Sequence, residues 1–226
     1  MVKYLIFIGI LAFNCISAQN TNDDLLEAGL ARGDSGWQSF KGLMCFHDQR
    51  DYKEALSWFL KCAEQNEPTC LYYIGEMYSL GLELEQDDAK AFYYFKRSAE
   101  AGLDKGQIAF GKAYLNGIGT EVDERLGFSW IEKSALQGND EAISRLGVLY
   151  AKGIGVLRNP NEAFKCFKLC AENNVPTCQF NLGVSYLFGS GTLKDMKNAA
   201  IWIKKAYEGG EDGARKIWED YELWKY

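Results

Sequence analysis

Small and apolar residues recur along the chain at helical spacing. Ala142, Leu146, Gly147 and Tyr150 fall on one face of a helix. The same set returns at a fixed interval: Gly75, Gly111, Gly147 and Gly183 stand 36 residues apart, and each is followed three residues later by a tyrosine, Tyr78, Tyr114, Tyr150 or Tyr186. The step also links Asp51, Asp87, Asp123, Asn159 and Asp195 and, four residues further on, Ala55, Ala91, Gly127, Ala163 and Ala199. A repeat of this length, held without insertion from Asp51 onward, is the sequence signature of a repeat architecture.

Each unit reads as two helices. The first ends at a glycine-bearing turn, Gly81, Gly117/Gly119, Gly153/Gly155 or Gly189/Gly191, where glycine takes backbone angles that cost other residues. The Asp/Asn series then sits where an N-cap belongs. Asn159 is the fullest case, with Pro160 at the first helical position and Glu162 three residues after the cap. Each second helix stops near Asn66, Gly102, Gly138, Asn174 or Gly210, the two residue types that best accept a left-handed C-cap. Trp58, Tyr94, Trp130, Cys166 and Trp202 share one position on the second helix and are expected to pack against neighbouring helices.

A two-helix unit of this kind cannot bury its own apolar face, so neighbours must stack into an all-α, right-handed superhelical solenoid. We expect five repeats, at about 31–67, 68–103, 104–139, 140–174 and 175–210, and a capping segment over 211–226. The first repeat lacks the two-glycine turn before Asp51 and is expected to have a shortened loop. In the cap, Trp218, Tyr221 and Trp224 are expected to cover the last edge.

The N-terminus reads differently. Lys3, an apolar run from Tyr4 to Phe13 and Cys15-Ile16-Ser17-Ala18 have the form of a secretory signal peptide, residues 1–18. The run is too short to span a bilayer, which needs about 20 apolar residues. Cleavage after Ala18 takes Lys3 with it and leaves 208 of 226 residues, 19–226, at a net charge of −7 instead of −6. Lipidation at Cys15 is the alternative, against which Asn14 stands where a small residue is expected. The expected location is therefore the periplasm or the exterior.

The motif Leu146-Gly147, Tyr150, Gly153-Ile154-Gly155-Val156, Asn159 and Ala163 resembles the Sel1-like repeat, over residues 40 to 215 of this chain. A tetratricopeptide unit has 34 residues and lacks the two-glycine turn. Departures are Leu82 to Glu85, which dilute the second turn, Gly127 in place of alanine, and Cys166 in place of tryptophan.

Cysteine usage adds a covalent expectation. Cys62 and Cys70 are repeated in spacing by Cys170 and Cys178, three units later. One member lies in the last turn of a second helix and the other in the first turn of the next first helix. The other junctions hold Ser98/Gly106, Ser134/Ala142 and Ala206/Ala214. Paired presence and paired absence, in an exported chain, point to two disulfides, Cys62–Cys70 and Cys170–Cys178. Cys45 and Cys166 are left as free thiols. The arrangement is similar to the Helicobacter cysteine-rich proteins, exported Sel1-like solenoids.

That resemblance implies, as an alternative function, penicillin binding or weak β-lactam hydrolysis. The chain contains no Ser-x-x-Lys, Lys-Thr-Gly or Gly-x-Ser-x-Gly, and a single histidine, His47, cannot build a zinc site of several imidazoles. Gly106 to Ala113 nearly spells a phosphate-binding loop, but the period makes it helical, with Gly106 at a junction and Gly111 a packing glycine. His47 with Asp48 reads as a solvated turn. With 25 Lys+Arg against 31 Asp+Glu and no basic stripe, nucleic acid is not an expected ligand. No catalysis, metal or cofactor is expected.

What remains is surface. The first-helix positions opposite the buried face are Tyr72, Tyr73, Glu76 and Leu80; Ile108, Ala109, Lys112 and Asn116; Ser144, Arg145, Val148 and Lys152; and Phe180, Asn181, Val184 and Phe188. They are expected to line a concave face that binds another protein or peptide. For Tyr72, Ile108 and Phe180, packing between repeats is an equal alternative. The expectation is a monomeric, exported, protein-binding scaffold, acting either as an envelope adaptor or secreted host-facing factor or as a periplasmic immunity protein against a delivered toxin.

Overall fold

The computed structural model describes residues 24–226; the signal peptide expected at 1–18 lies outside them. Among the described residues the secondary structure is helical, without a strand. In chain order the helices are α1 (24–31), α2 (Ser35–Met44), a π-helical turn (Cys45–Gln49), α3 (Tyr52–Ala63), α4 (Pro68–Leu80), α5 (Asp88–Glu100), α6 (Asp104–Asn116), α7 (Glu124–Leu136), α8 (Asp140–Lys152), α9 (Pro160–Glu172), α10 (Pro176–Phe188), α11 (Met196–Glu208), α12 (Asp212–Asp220) and a 3₁₀ turn (Leu223–Lys225). The chain divides into two compact units between Gln86 and Asp87.

Helix ends fall where the caps demand. The side chains of Asp51, Asp87, Asp123, Asn159 and Asp195 accept from the amides of Glu54, Lys90, Leu126, Glu162 and Asn198 at 2.9–3.2 Å. Asn66, Gly102, Gly138, Asn174 and Gly210 all have positive φ, between 57° and 93°. In the second repeat the left-handed position held elsewhere by Gly119, Gly155 and Gly191 is taken by Glu83, at φ 55°.

The backbone amide of Asn198 holds the Asp195 carboxyl below the usual carboxylate range, and that of Lys90 does the same for Asp87. A lowered folded-state pKa means that the ionised cap favours the folded state. This contribution is complete above the unfolded value of about 4 and is lost as pH falls through the lowered one. Asp195→Asn keeps the acceptor without the charge, so the acid side of its melting-temperature profile should be flatter than that of the parent. Thermal melts from neutral pH down to about pH 2 check this, and superimposable acid limbs would refute it.

In the second unit each helix packs on the next from α5 to α12. Ile108, Phe128, Ile131, Ala142, Leu146 and Leu149 form one buried layer. Ile143, Phe167, Cys170, Cys178 and Leu182 belong to the next, and Leu187, Ile203, Ala206, Ala214 and Leu223 to the last. The repeat glycines permit this spacing: a Cβ on Gly147 would stand 2.5 Å from the Phe167 ring, and one on Gly183 2.8 Å from Ile203. Gly127 departs from the alanine of other repeats because Leu115 fills the space, 2.6 Å from a Cβ built there. The near-match to a phosphate loop lies wholly within α6, Gly106 is buried against Ser98, and from Gln107 onward the amides bond along the helix.

The C-terminal cap is closed differently from the sequence expectation. Leu223, folded back by the 3₁₀ turn, is fully buried, and Trp218 packs beside it. Tyr221 and Trp224 instead remain exposed.

The first unit explains the irregular first repeat. Gly42 packs on the Phe59 ring as Gly147 packs on Phe167. Gly42 and Phe59 are 17 residues apart, whereas Gly147 and Phe167 are 20 apart, so the loop is three residues shorter. The π-helical turn absorbs the difference, and Arg50, at φ 53°, makes the left-handed turn before the Asp51 cap. The same offset identifies α1. Gly33 takes the left-handed angle of Gly102, and Gly29 leaves room for the Trp37 indole, 2.1 Å from a built Cβ, at the junction position of Ser98/Gly106. Helix α1 is thus the end of a second helix, a half-repeat ahead of the first full one.

Candidate partner-binding groove

In the second unit the first helices α6, α8 and α10 frame a groove of about 600 Å³. Leu115 of α6, Val148 and Leu149 of α8, and Val175, the residue capping α10, supply its apolar lining. Asp140, Glu141, Ser144, Arg145 and Thr177 supply its polar one. Helix α8 runs along the middle because Asn139 caps it and Gly153, at φ 74°, ends it. The Arg145 guanidinium donates to Glu141 Oε1 through Nε at 3.0 Å and Nη2 at 2.8 Å. Asp140 accepts from Asn173 Nδ2 at 2.8 Å, tying α8 to the end of α9. Thr177 donates to Glu211 at 2.9 Å.

Of the expected surface positions, Ser144, Arg145 and Val148 line this groove. Lys112 is half-buried, and Asn116 and Lys152 are exposed beyond the lining. Asn181 and Val184 are half-buried, and Val184 leans on the last core layer. Phe180 lies against α12, with a Cβ on Gly213 only 3.2 Å from its ring. Phe188 stays exposed, in edge contact with Tyr221 at 5.7 Å.

Two positions are core: for Ile108 this is the packing alternative, and for Tyr73 it corrects the expectation of an open face. Ile108 is 4% exposed because it fills the layer between α6 and α8. Tyr73 is 7% exposed because it stacks on Phe59 in the shortened first repeat, with ring centroids 5.2 Å apart. Tyr72 is half-buried with its ring edge on Tyr73, and Glu76 is half-buried. His47 is not simply solvated, since its Nε2 pairs with the Tyr73 hydroxyl at 2.8 Å.

Sequence reasoning missed Leu115, Asp140, Glu141, Leu149, Val175 and Thr177. Only the Glu141–Arg145 pair carried a signal, an acid four residues before a base on a helix.

The cysteines resolve as pairs. Cys62–Cys70 and Cys170–Cys178 have Sγ atoms 1.89 and 2.11 Å apart, and Cys45 and Cys166 are free. Burial pushes the Cys166 thiol up to about 11, with Glu162 adding to it, and raises Cys45 as well. Neither presents a thiolate near neutral pH. Cys166 replaces an aromatic that in the first, third and fifth repeats carries a lysine over its ring: Lys61 on Trp58, Lys133 on Trp130 and Lys205 on Trp202, at 3.6–4.3 Å. In the fourth repeat the lysine position is Leu169, so both halves of the pair are replaced together. No cluster of three or more His, Cys, Asp or Glu that could hold a metal occurs among the described residues. Nor is any described helix long and apolar enough to cross a membrane.

Stacked two-helix repeats with a groove across their first helices define an α-solenoid of the scaffold class. The Sel1 repeat family matches residues 39–67, 68–103, 105–139, 140–175 and 176–211, and the chain belongs to it. The first match opens at 39, after the half-repeat and the first turn of α2.

Among solved structures, the chain is similar to c5321, a protective antigen of uropathogenic Escherichia coli with the same fold. Identity is 28% and the TM-score 0.77, over 84% of this chain and 42% of that one. The chain thus spans less than half of that relative. A Sel1 repeat protein from Oxalobacter formigenes is 25% identical, with a TM-score of 0.76, over 83% and 76% of the two chains. Cysteine rich protein B of Helicobacter pylori is also among the structural neighbours, at 21% identity and a TM-score of 0.46, over 58% and 95%. No curated protein matches the chain by sequence.

Proposed function

We propose that this chain is an exported scaffold that binds another protein through the groove between α6, α8 and α10. The groove carries the reading: it is large enough to seat side chains of a partner, predominantly apolar, and edged by a few oriented polar groups. Its central helix presents residues that change from repeat to repeat, whereas the buried positions hold. Two disulfides fit an oxidising compartment. The similarity to a protective antigen favours an envelope or host-facing role over a periplasmic immunity role. A lipase-like toxin gene beside this one would reverse that preference.

Ser144→Trp fills the groove from a half-exposed helix position and leaves the core intact. Immobilised protein and this variant are presented with envelope and culture extracts. A protein retained by the parent and released by the variant, at equal melting temperature, is the expected result. Retention indifferent to the tryptophan removes the groove from the reading.

A further inference from the structure

The charges around the groove bear on what it takes. Its lining holds two carboxylates, Asp140 and Glu141, against one guanidinium. Arg145 places both of its bonds on Glu141 Oε1, and Asn173 bonds Asp140 Oδ1. The second oxygen of each carboxylate has no partner among the described residues. Glu211, bonded by Thr177 at the same end, adds a third negative charge close to the lining. The only cation of the lining is thus spent on its own neighbour, while acceptor capacity is left over beside an apolar floor of Leu115, Val148 and Val175.

We propose that the groove takes an extended polypeptide segment with a bulky apolar side chain flanked by lysine or arginine. The apolar side chain sits on the floor, and the cationic one reaches the free oxygens of Asp140 and Glu141. This rests on the groove being the partner-binding site and adds the chemistry of what enters it. A net-negative chain reinforces the preference at long range.

The test uses three end-blocked pentapeptides in which leucine is flanked by two lysines, two glutamates or two glutamines, titrated into the labelled protein by NMR. The lysine peptide should shift the amides of Ser144 and Val148 at about tenfold lower concentration than the glutamate peptide. That margin should shrink in about 1 M salt, where the screening length is ~3 Å. In Glu141→Gln, Arg145 is released and the preference should turn toward the glutamate peptide; in Arg145→Gln the lysine preference should grow. A glutamate or glutamine peptide that occupies the parent groove as well as the lysine one overturns the cationic chemistry and leaves the groove a binding site. Shifts confined to other surfaces overturn the proposal too, and the Ser144→Trp capture then decides separately whether the groove binds a protein at all.

Discussion

Gly155→Ala should lower the stability of the second unit by several kcal/mol, far more than the same change at Gly138. Both glycines are left-handed, at φ 70° and 86°, so each alanine incurs the backbone cost of that region, about 1–2 kcal/mol. The surroundings then separate them. A Cβ on Gly138 meets nothing within 4 Å, whereas one on Gly155 would lie 2.1 Å from the carbonyl oxygen of Glu124 and 2.8 Å from Phe128 Cβ. That carbonyl belongs to the first turn of α7 and cannot swing aside as a side chain would. The turn after α8 must therefore back away from α7 and open the layer that Phe128 and Leu146 fill. Adding strain to lost packing gives about 3–5 kcal/mol, against ~1 for Gly138→Ala. Gly119 and Gly191 make the same approach, at 2.1 and 2.0 Å, to the carbonyls of Asp88 and Pro160. The second glycine of the turn is thus where one repeat's loop touches the backbone of the repeat before it. Denaturant melts of the two variants check this, and equal losses would reduce Gly155 to a turn residue.

These turns were legible in the sequence, and the reason is local. Caps, left-handed helix ends and the small residues at junctions each follow from the chemistry of a few consecutive residues, and a 36-residue step shows them five times. The fate of a first-helix surface position is not local. Ile108 and Ser144 stand at equivalent places, yet one is core and the other lines a groove, because the space each faces is set by the next helix. Tyr73 is buried for a reason particular to the first repeat: its ring stacks on Phe59 and meets Phe46 and His47 of the π-helical turn, which stands at the three-residue deletion. The same deletion puts Gly42 out of step with the glycine series and so conceals α1. The groove was half legible: Ser144, Arg145 and Val148 came from the right helix, but Leu115, Val175 and Thr177 are brought to it by neighbours. The end cap misled through size, since the large aromatics Tyr221 and Trp224 stay exposed and the smaller Leu223 turns inward.

Cutting the Cys170–Cys178 bridge should cost about 2–3 kcal/mol while leaving the helical signal in place. The cross-link closes a loop with a sequence separation of 8, and the entropy model for so short a loop gives that range. A fair comparison must remove the bond without leaving a cavity or an orphaned polar atom, and the molecule supplies the template. At the neighbouring junction the same two positions hold Ser134 and Ala142, both fully buried, with Ser134 donating to the carbonyl of Asp104 at 3.0 Å. Cys170→Ser with Cys178→Ala reproduces that pair, so the loss reads the cross-link itself. It should appear as a fall of roughly 5–10 °C in Tm, and reducing agent, which opens Cys62–Cys70 in both proteins, should erase the difference between parent and variant. The solenoid should survive, because at three of its junctions serine, glycine and alanine hold adjacent repeats together without any bridge. A variant that melts with the oxidised parent would mean that the unfolded chain is not restrained by the bond. Complete loss of helix would mean that the fourth and fifth repeats depend on the bridge to associate at all.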